Sequence, residues 1–207
     1  MQHMIYGQNG QRKYLTSSER KAFLDTASKF DSTTMTLCWV ISATGCRISE
    51  ALSLTSDSID KETKTIVIEC LKKRRTGVYR TVPVQADLID LLFRVHDLGG
   101  HVGQGKQAPK LWPFTRVTAY RRIRKVMEAA GLNGIHAMPK GLRHCFGVAA
   151  IQSQVPLNMV QRWLGHADMR TTAIYASAVG PEERSIAQRM WRNSALKLAD
   201  ASIDKAA

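Results

Sequence analysis

Two short segments rich in β-branched residues, 65–70 and 79–84, constrain the fold of this chain more than any other feature. Runs of Val, Ile and Thr favour an extended backbone, because branched side chains pack well on a pleated surface. A polar connection that contains Gly77 joins the two segments, so the sequence predicts an antiparallel β-hairpin. The connection reads Lys-Lys-Arg-Arg-Thr-Gly, which gives the predicted hairpin a strongly basic tip.

Helical patterns fill most of the remaining chain. Thr16 and Glu19 form a capping-box pattern that opens a helix, and a strongly apolar stretch at 33–44 predicts a buried helix that ends at Gly45. Further helices are predicted at 48–54, 85–96, 115–130, 140–153, 156–164, 169–178 and 181–198. We therefore predict an α+β fold that is mostly helical and carries one small antiparallel β-sheet.

The chain has a large excess of positive charge, with 30 Lys and Arg against 17 Asp and Glu and a formal net charge of +13. Such an excess favours a polyanionic partner, and nucleic acid is the preferred interpretation over an anionic membrane or the ribosome. The basic run at 121–125 is expected to contact a DNA backbone, or else to form a solvated helix face. No apolar run approaches the roughly 20 residues of a membrane helix, and no secretory signal is visible. We expect a cytoplasmic protein with no membrane association.

The four cysteines do not occur in the closely spaced pairs that are typical of metal sites. They lie in apolar or strand-like patterns, so we expect buried, reduced thiols rather than metal ligands or a disulfide framework. The residues are Cys38, Cys46, Cys70 and Cys145. The chemistry described next needs neither a metal nor a cofactor, and the sequence predicts none.

Residue types that suit phosphodiester cleavage occur in three separate helical segments. Arg47 lies in the first, Lys140 and Arg143 lie in the second, and Tyr175 follows His166 in the third. Cleavage without a metal needs an in-line nucleophile, positive donors for the non-bridging oxygens and an acid for the leaving oxygen. Arginine suits the donor role because its planar fork meets two phosphate oxygens and keeps its charge. A tyrosine can act as a covalent nucleophile when nearby cations stabilise its phenolate.

These segments resemble the three sequence boxes of the tyrosine recombinase, or phage integrase, family. The boxes are matched by Ala-Thr-Gly-Cys-Arg-Ile-Ser-Glu-Ala-Leu at 43–52, Pro-Lys-Gly-Leu-Arg-His-Cys-Phe-Gly at 139–147 and Val-Gln-Arg-Trp-Leu-Gly-His at 160–166, with Tyr175 after the last. The resemblance runs from about residue 15 to Tyr175 in the order and spacing of the family. It implies the catalytic domain of a tyrosine recombinase.

The resemblance also implies a role for each matching residue. Tyr175 would attack the scissile phosphate and form a 3′-phosphotyrosyl link, which frees a 5′-hydroxyl. Arg47 and Arg143 would hold the non-bridging oxygens, and His166 would hydrogen-bond the same phosphate. Glu50 is expected to orient the site rather than to react.

A lysine of the basic hairpin would protonate the departing 5′-oxygen. Counting from the first strand places Lys72 at the position of the family's lysine, whereas counting back from Pro83 points nearer to Arg75. Neighbouring residues in a strand face opposite sides, so Lys72 and Lys73 cannot both point at the phosphate. We favour Lys72 over Lys73.

The second box departs from the family pattern, which usually has histidine where this chain has Lys140. A lysine can donate to a phosphate oxygen but is a poor base unless its pKa is lowered. His136 would substitute only if its loop bends inward. His144 is expected to have a structural role beside the site, so the group that removes the proton of Tyr175 stays open.

We expect three parts along the chain: an N-terminal tail at 1–14, the catalytic domain at 15–180 and a C-terminal helix and tail at 181–207. Most family members carry a helical DNA-clamping domain before the catalytic one. The chain is therefore expected to be either an excised catalytic domain or a naturally short protein, like the fimbrial phase-switch recombinases. The C-terminal helix would dock on a neighbouring subunit or pack on its own domain.

The sequence thus predicts a site-specific DNA recombinase that cleaves and rejoins double-stranded DNA. The resemblance implies a homotetramer on paired DNA sites and a monomer or weak dimer alone. A type IB topoisomerase shares this chemistry and is the nearest alternative among enzymes. A DNA-binding regulator without catalysis is the alternative from another class.

Overall fold

The computed structural model describes residues 5–71, 77–99, 108–177 and 181–193. Its α-helices are α1 Ser17–Ala27, α2 Ser32–Thr44, α3 Ile48–Ala51, α4 Ala86–His96, α5 Arg116–Ala129, α6 Pro139–Gln152, α7 Leu157–Leu164, α8 Arg170–Ala173 and α9 Pro181–Asn193. Its strands are β1 Ile59–Asp60, β2 Thr65–Glu69 and β3 Tyr79–Pro83, and 3₁₀-helices span Ser56–Ser58 and Ile174–Ser177. The fold is thus mostly helical with one small antiparallel sheet, as predicted.

The predicted hairpin forms strands β2 and β3 of a three-stranded antiparallel sheet with the order β1-β2-β3, in which β2 is central. Ile66 pairs with Val82, and Ile68 pairs with Arg80. All four side chains are buried, because alternate residues of β2 and β3 face the helices. The remaining strand, β1, is absent from the predicted elements, because its two residues are too few to show a period in sequence.

Helix α2 is the central helix of the core and contacts α1, α4, α5 and α6. Its apolar residues Leu37, Val40 and Ile41 are fully buried. Gly45 ends the helix with a φ of 61°, a left-handed conformation that glycine adopts without strain. A Cβ at Gly45 would also lie 2.7 Å from the ring of Phe146. This close approach brings the first box against α6, which carries the second box.

The described part of the expected N-terminal tail is packed against the domain. Residues Tyr6 and Arg12 form an isolated β-bridge, and Ile5 and Tyr14 are 1% and 0% exposed. These two side chains belong to a second apolar cluster that also contains Tyr175. Residues 5–14 therefore form part of the folded unit. This segment is too short for its sequence to show a hydrophobic period, so its packing was not predicted.

The basic run at 121–125 lies on α5, and two of its arginines have partners within the protein. Arg122 forms an ion pair with Asp31 at 3.0 Å and lies over the ring of Phe114. Arg124 donates to the carbonyl of Ala137 and contacts Glu128. These two arginines support the fold, whereas Arg121 and Lys125 are exposed.

The C-terminal helix α9 packs on α6, and Arg189 donates to the carbonyl of Gln152. Its apolar residues Met190 and Trp191 remain 61% and 45% exposed. All four cysteine side chains are buried, as the sequence predicted. Within the described parts of the chain, no helix has both the length and the apolar character needed to cross a membrane.

Candidate active site

The three boxes meet around one cavity of about 490 Å³. The structure brings five of the six residues predicted for the site together on its wall, namely Arg47, Lys140, Arg143, His166 and Tyr175. The sixth, Lys72, lies outside the described residues. Arg116 and Tyr120 from α5 also line the cavity, together with His144. Sequence reasoning had not placed Arg116 or Tyr120 in the site, because nothing local in α5 shows which face meets the boxes.

Arg47 is held at the start of α3 by Glu50. The Glu50 carboxylate accepts a hydrogen bond from the backbone N–H of Arg47 at 2.9 Å and one from its guanidinium at 2.7 Å. This is half of a capping box, in which an acidic residue in the first turn satisfies the N–H at the helix start. Glu50 is fully buried, so it fixes the arginine from below and leaves the guanidinium on the cavity wall.

A second arginine, Arg80 of β3, pairs with the same carboxylate inside the protein. Its guanidinium donates to Glu50 at 2.6 Å and to the carbonyl of Trp163 at 2.7 Å, and it contacts the Cys70 sulfur at 3.3 Å. Burial alone would raise the pKa of Glu50, but the bond and charge of Arg80 lower it overall. The buried carboxylate is therefore ionised, and Arg80 links the hairpin to the first and third boxes.

Sequence reasoning missed Arg80, although one signal was present. Arg80 stands two residues before the buried Val82 on the same strand face, and successive inward positions alternate along a strand. An arginine at an inward position needs a buried partner. The identity of that partner, Glu50, depends on a contact across 30 positions of sequence.

Arg143 is anchored by backbone carbonyls of the other two boxes. One terminal nitrogen donates to Gly45 at 2.8 Å and the other to Leu164 at 2.6 Å. A guanidinium has five N–H donors, so these bonds leave donors for a ligand in the cavity. Burial, and then the charge of Arg47, lowers the pKa of Arg143 to about 10. The side chain therefore still carries its charge at neutral pH.

His166 follows the left-handed Gly165, which ends α7 with a φ of 66°. Its Nδ1 lies 2.9 Å from the hydroxyl of the fully buried Thr172. Burial, and then the charges of Arg143 and Arg47, lowers the pKa of His166 to about 3. The imidazole is thus neutral at physiological pH and acts on a ligand through hydrogen bonding rather than through charge.

Tyr175 lies in the 3₁₀-helix after α8 and is 1% exposed. Its ring packs directly on Gly147 of α6, where a Cβ would lie 2.7 Å from two ring carbons. Burial raises the pKa of Tyr175 to about 12, although Arg143 and Arg47 act in the opposite direction. The Tyr175 hydroxyl lies 3.1 Å from Nδ1 of His144.

The two alternatives for the second box are separated by the structure. Lys140 occupies the first turn of α6 and lines the cavity. The His136 side chain is directed at Glu19, with its Nε2 3.5 Å from a carboxylate oxygen that also belongs to an ion pair with Arg12. His136 therefore supports the packing of the N-terminal segment. In the described parts of the chain, no group of three or more His, Cys, Asp or Glu is arranged to hold a metal ion.

The family model described as the phage integrase family matches residues 13–179. Among curated proteins, the chain is 30% identical over 140 residues to tyrosine recombinase XerD of Vibrio vulnificus (strain YJ016), covering 64% of this chain and 45% of that protein. It is 29% identical over 176 residues to tyrosine recombinase XerH of Campylobacter jejuni, covering 79% of this chain and 48% of that protein. The chain thus spans about half the length of these relatives.

Solved structures show the same fold. The crystal structure of XerA recombinase matches with a TM-score of 0.71 and 24% identity, covering 89% of this chain and 64% of that one. XerH bound to a palindromic difH substrate, in a post-cleavage complex, matches with a TM-score of 0.70 and 25% identity, covering 87% and 53%. The catalytic domain of bacteriophage HP1 integrase matches with a TM-score of 0.60 and 18% identity, covering 89% and 98%. Sequence and fold agree, and the chain belongs to the phage integrase family of tyrosine recombinases.

Proposed function

We propose that this chain carries the catalytic domain of a site-specific DNA recombinase, which cleaves and rejoins DNA through a 3′-phosphotyrosyl intermediate. The observation that carries the proposal is the meeting of Arg47, Arg143, His166 and Tyr175 on one cavity. Two charged arginines and a neutral histidine surround a tyrosine, which is the set needed to bind a phosphate and attack it. The net charge of +13 favours a DNA partner.

Each side chain has a defined part in the proposed reaction. Arg47 and Arg143 donate to the non-bridging oxygens and stabilise the charge that builds in the transition state. His166 donates to the same phosphate through the ring nitrogen that does not face Thr172. Tyr175 attacks phosphorus, and Lys72 protonates the 5′-oxygen as it leaves. Lys140 contributes positive charge at the cavity wall.

The partners and the organisation of the chain are part of the same proposal. Similar proteins include XerH, a site-specific recombinase that was solved in a post-cleavage complex with a palindromic difH substrate. We propose double-stranded DNA as substrate, a homotetramer on paired sites, and a monomer or weak dimer without DNA. The exposed Met190 and Trp191 of α9 favour docking of residues 181–207 on a neighbouring subunit, with catalysis carried by 15–180. A location in the cytoplasm follows from the proposed DNA substrate.

A covalent selection tests this function and identifies the DNA site in the same experiment. The protein is incubated with a pool of randomised duplexes, each nicked on one strand so that a cleaved end is lost and the adduct accumulates. Adducts that survive denaturation are isolated and sequenced. We expect one sequence class to be enriched, and we expect no adducts from Tyr175→Phe. Specific binding without any adduct would favour the regulator.

Two further readouts separate the remaining alternatives. Joined products from two different duplexes indicate strand exchange, whereas relaxation of supercoils without joined products would favour the topoisomerase. For Lys72, a substrate with sulfur in place of the 5′-oxygen is the sharper probe, because sulfur leaves without an acid. We expect this substrate to restore cleavage by Lys72→Ala but not to be needed by Lys73→Ala.

A further inference from the structure

A second histidine, His144, contacts the reacting atom of Tyr175. Its Nδ1 lies 3.1 Å from the Tyr175 hydroxyl oxygen, which is hydrogen-bond distance. His144 is 5% exposed and Tyr175 is 1% exposed, so the contact is shielded from water. A shielded hydrogen bond between a hydroxyl and a base is the arrangement that activates hydroxyl nucleophiles in covalent catalysis.

We propose that His144 accepts the proton of Tyr175 during the attack on the scissile phosphate, an inference that rests on the function proposed above. In this step the Tyr175 oxygen forms a bond to phosphorus, and the bond between phosphorus and the 5′-oxygen breaks. The tyrosine proton moves to Nδ1 of His144, while the 5′-oxygen takes a proton from Lys72. Rejoining reverses both transfers, so His144 returns the proton as the phosphotyrosyl bond breaks.

The other polar groups of the cavity are suited to different roles. The ammonium group of Lys140 donates hydrogen bonds and has no lone pair with which to take up a proton. The Nδ1 of His166 faces the hydroxyl of Thr172. The Glu50 carboxylate is bound by two arginines. A neutral His144 with its ring proton on Nε2 presents the lone pair of Nδ1 directly to the Tyr175 hydroxyl.

The charged surroundings of the pair explain why a base in direct contact is needed. Burial raises the pKa of Tyr175 to about 12, so the free phenolate is scarce at neutral pH. The cations that line the cavity with His144 are Arg143 on the same helix, Arg47, Arg116 and Lys140. His166 is a neighbouring titratable ring. These cations disfavour a positive imidazole before DNA binds. A bound phosphate offsets their charge, which makes proton transfer to His144 easier at the moment of attack.

A competing interpretation is that His144 only holds the tyrosine in place. Asparagine at this position separates the two roles, because its side chain offers a hydrogen-bonding group near the position of Nδ1 but cannot take up a proton. A holding role is preserved in His144→Asn, whereas a proton-accepting role is lost. His136→Ala is the matched control, since that histidine is half-buried against Glu19 and outside the cavity.

The test measures single-turnover adduct formation on the duplex recovered by the covalent selection, nicked beside its cleavage point. Loss of a general base typically costs about 100-fold or more in rate, and we expect this loss in both His144→Asn and His144→Ala. Added imidazole is expected to restore part of the rate in His144→Ala, where it fits the vacated space.

Thermal melting and DNA binding show whether each variant is folded, and His144→Gln replaces the alanine variant if that variant is unstable. A wild-type rate in folded His144→Asn overturns the inference and leaves the recombinase function standing. A faster rate in His144→Ala overturns it too, because His144 would then restrain the nucleophile. If the wild-type protein itself forms no adduct, the proposed function fails, and the inference fails with it.

Discussion

The arginines and the nucleophile of this site are held in different ways. Arg143 and the pair formed by Glu50 and Arg80 are buried, and their hydrogen bonds join α3, β3, α6 and the end of α7. Tyr175 instead lies on a four-residue 3₁₀-helix that follows the four-residue α8. The arginines, which we call the phosphate-binding half of the site, are therefore anchored in the core. The nucleophile lies on short elements with few backbone hydrogen bonds of their own.

This difference indicates that the arginines and the tyrosine contribute to the reaction in different ways. Electrostatic catalysis depends on hydrogen-bond donors that are fixed before the reaction. The phosphate-binding half of the site provides such donors. Tyr175 lines the cavity but is only 1% exposed, and the two elements that carry it are short. We expect small movements of these two elements, rather than of the arginines, to accompany DNA binding.

The largest expected effect comes from breaking the buried ion pair. In Arg80→Ala the Glu50 carboxylate keeps its charge but loses a buried partner, which typically costs about 3–5 kcal/mol. Chemical denaturation measures this loss. Lys21→Ala is the control, because its pair with Asp25 is solvent-exposed and such pairs contribute about 1 kcal/mol or less. Equal losses of stability from the two substitutions would contradict the conclusion that the arginines of the site are held by buried ion pairs in the core.

Substitutions at two glycines test the arginine and tyrosine parts of the site separately. Gly45→Ala meets both a left-handed φ and the Phe146 ring in the core, whereas Gly147→Ala meets only the ring of Tyr175. Overpacking alone typically costs about 1–3 kcal/mol. We expect Gly45→Ala to lower the free energy of unfolding more than Gly147→Ala. We expect Gly147→Ala to displace the Tyr175 ring, which exposes the ring and increases its reactivity toward a tyrosine-nitrating reagent. A greater loss of stability in Gly147→Ala would indicate that Tyr175 is held more rigidly than the arginines.

Acid is expected to weaken the fold through His166. Its folded pKa is about 3 against 6.5 for the ordinary side chain, so the unfolded chain binds the proton more readily. Stability is therefore complete above about pH 6.5 and falls as the pH decreases toward 3. Glu50, whose pKa is also lowered, adds a loss below its ordinary range. Unfolding free energies measured against pH should show a shallower slope between these values in His166→Gln.

The smallest expected effect is at Thr172. Thr172→Val keeps the shape of the side chain but removes the hydrogen bond to Nδ1 of His166, which is typically worth about 0.5–1.5 kcal/mol. We also expect slower adduct formation, because the imidazole loses the partner that fixes its orientation. Thr26→Val, in α1 and outside the cavity, is the matched control. Unchanged cleavage in Thr172→Val would remove the orienting role.

Local patterns in the sequence were sufficient for the features that depend on neighbouring residues. The hairpin, the capping box at Thr16 and the end of α2 at Gly45 are confirmed, because each depends on a few adjacent positions. The two-residue β1 was missed because it is shorter than any period. The packing of residues 5–14 was missed because Ile5 and Tyr14 are buried by elements far along the chain.

The same distinction applies to the site. The sequence boxes predicted which residues line the cavity, since each box carries its own residues in order. They did not predict the partner of Arg80, or the contact of His144 with Tyr175, because both cross more than two dozen positions between elements. The direction in which His136 points depends likewise on Glu19, from the other end of the domain.

The most direct test of the central claim is to locate the covalent bond by mass spectrometry. The adduct formed with the selected duplex is digested with nuclease and protease, and the modified peptide is sequenced. We predict a 3′-phosphate-linked nucleotide on Tyr175 and a free 5′-hydroxyl on the released strand. A nucleotide on another residue, or cleavage without any protein-bound nucleotide, would contradict the account.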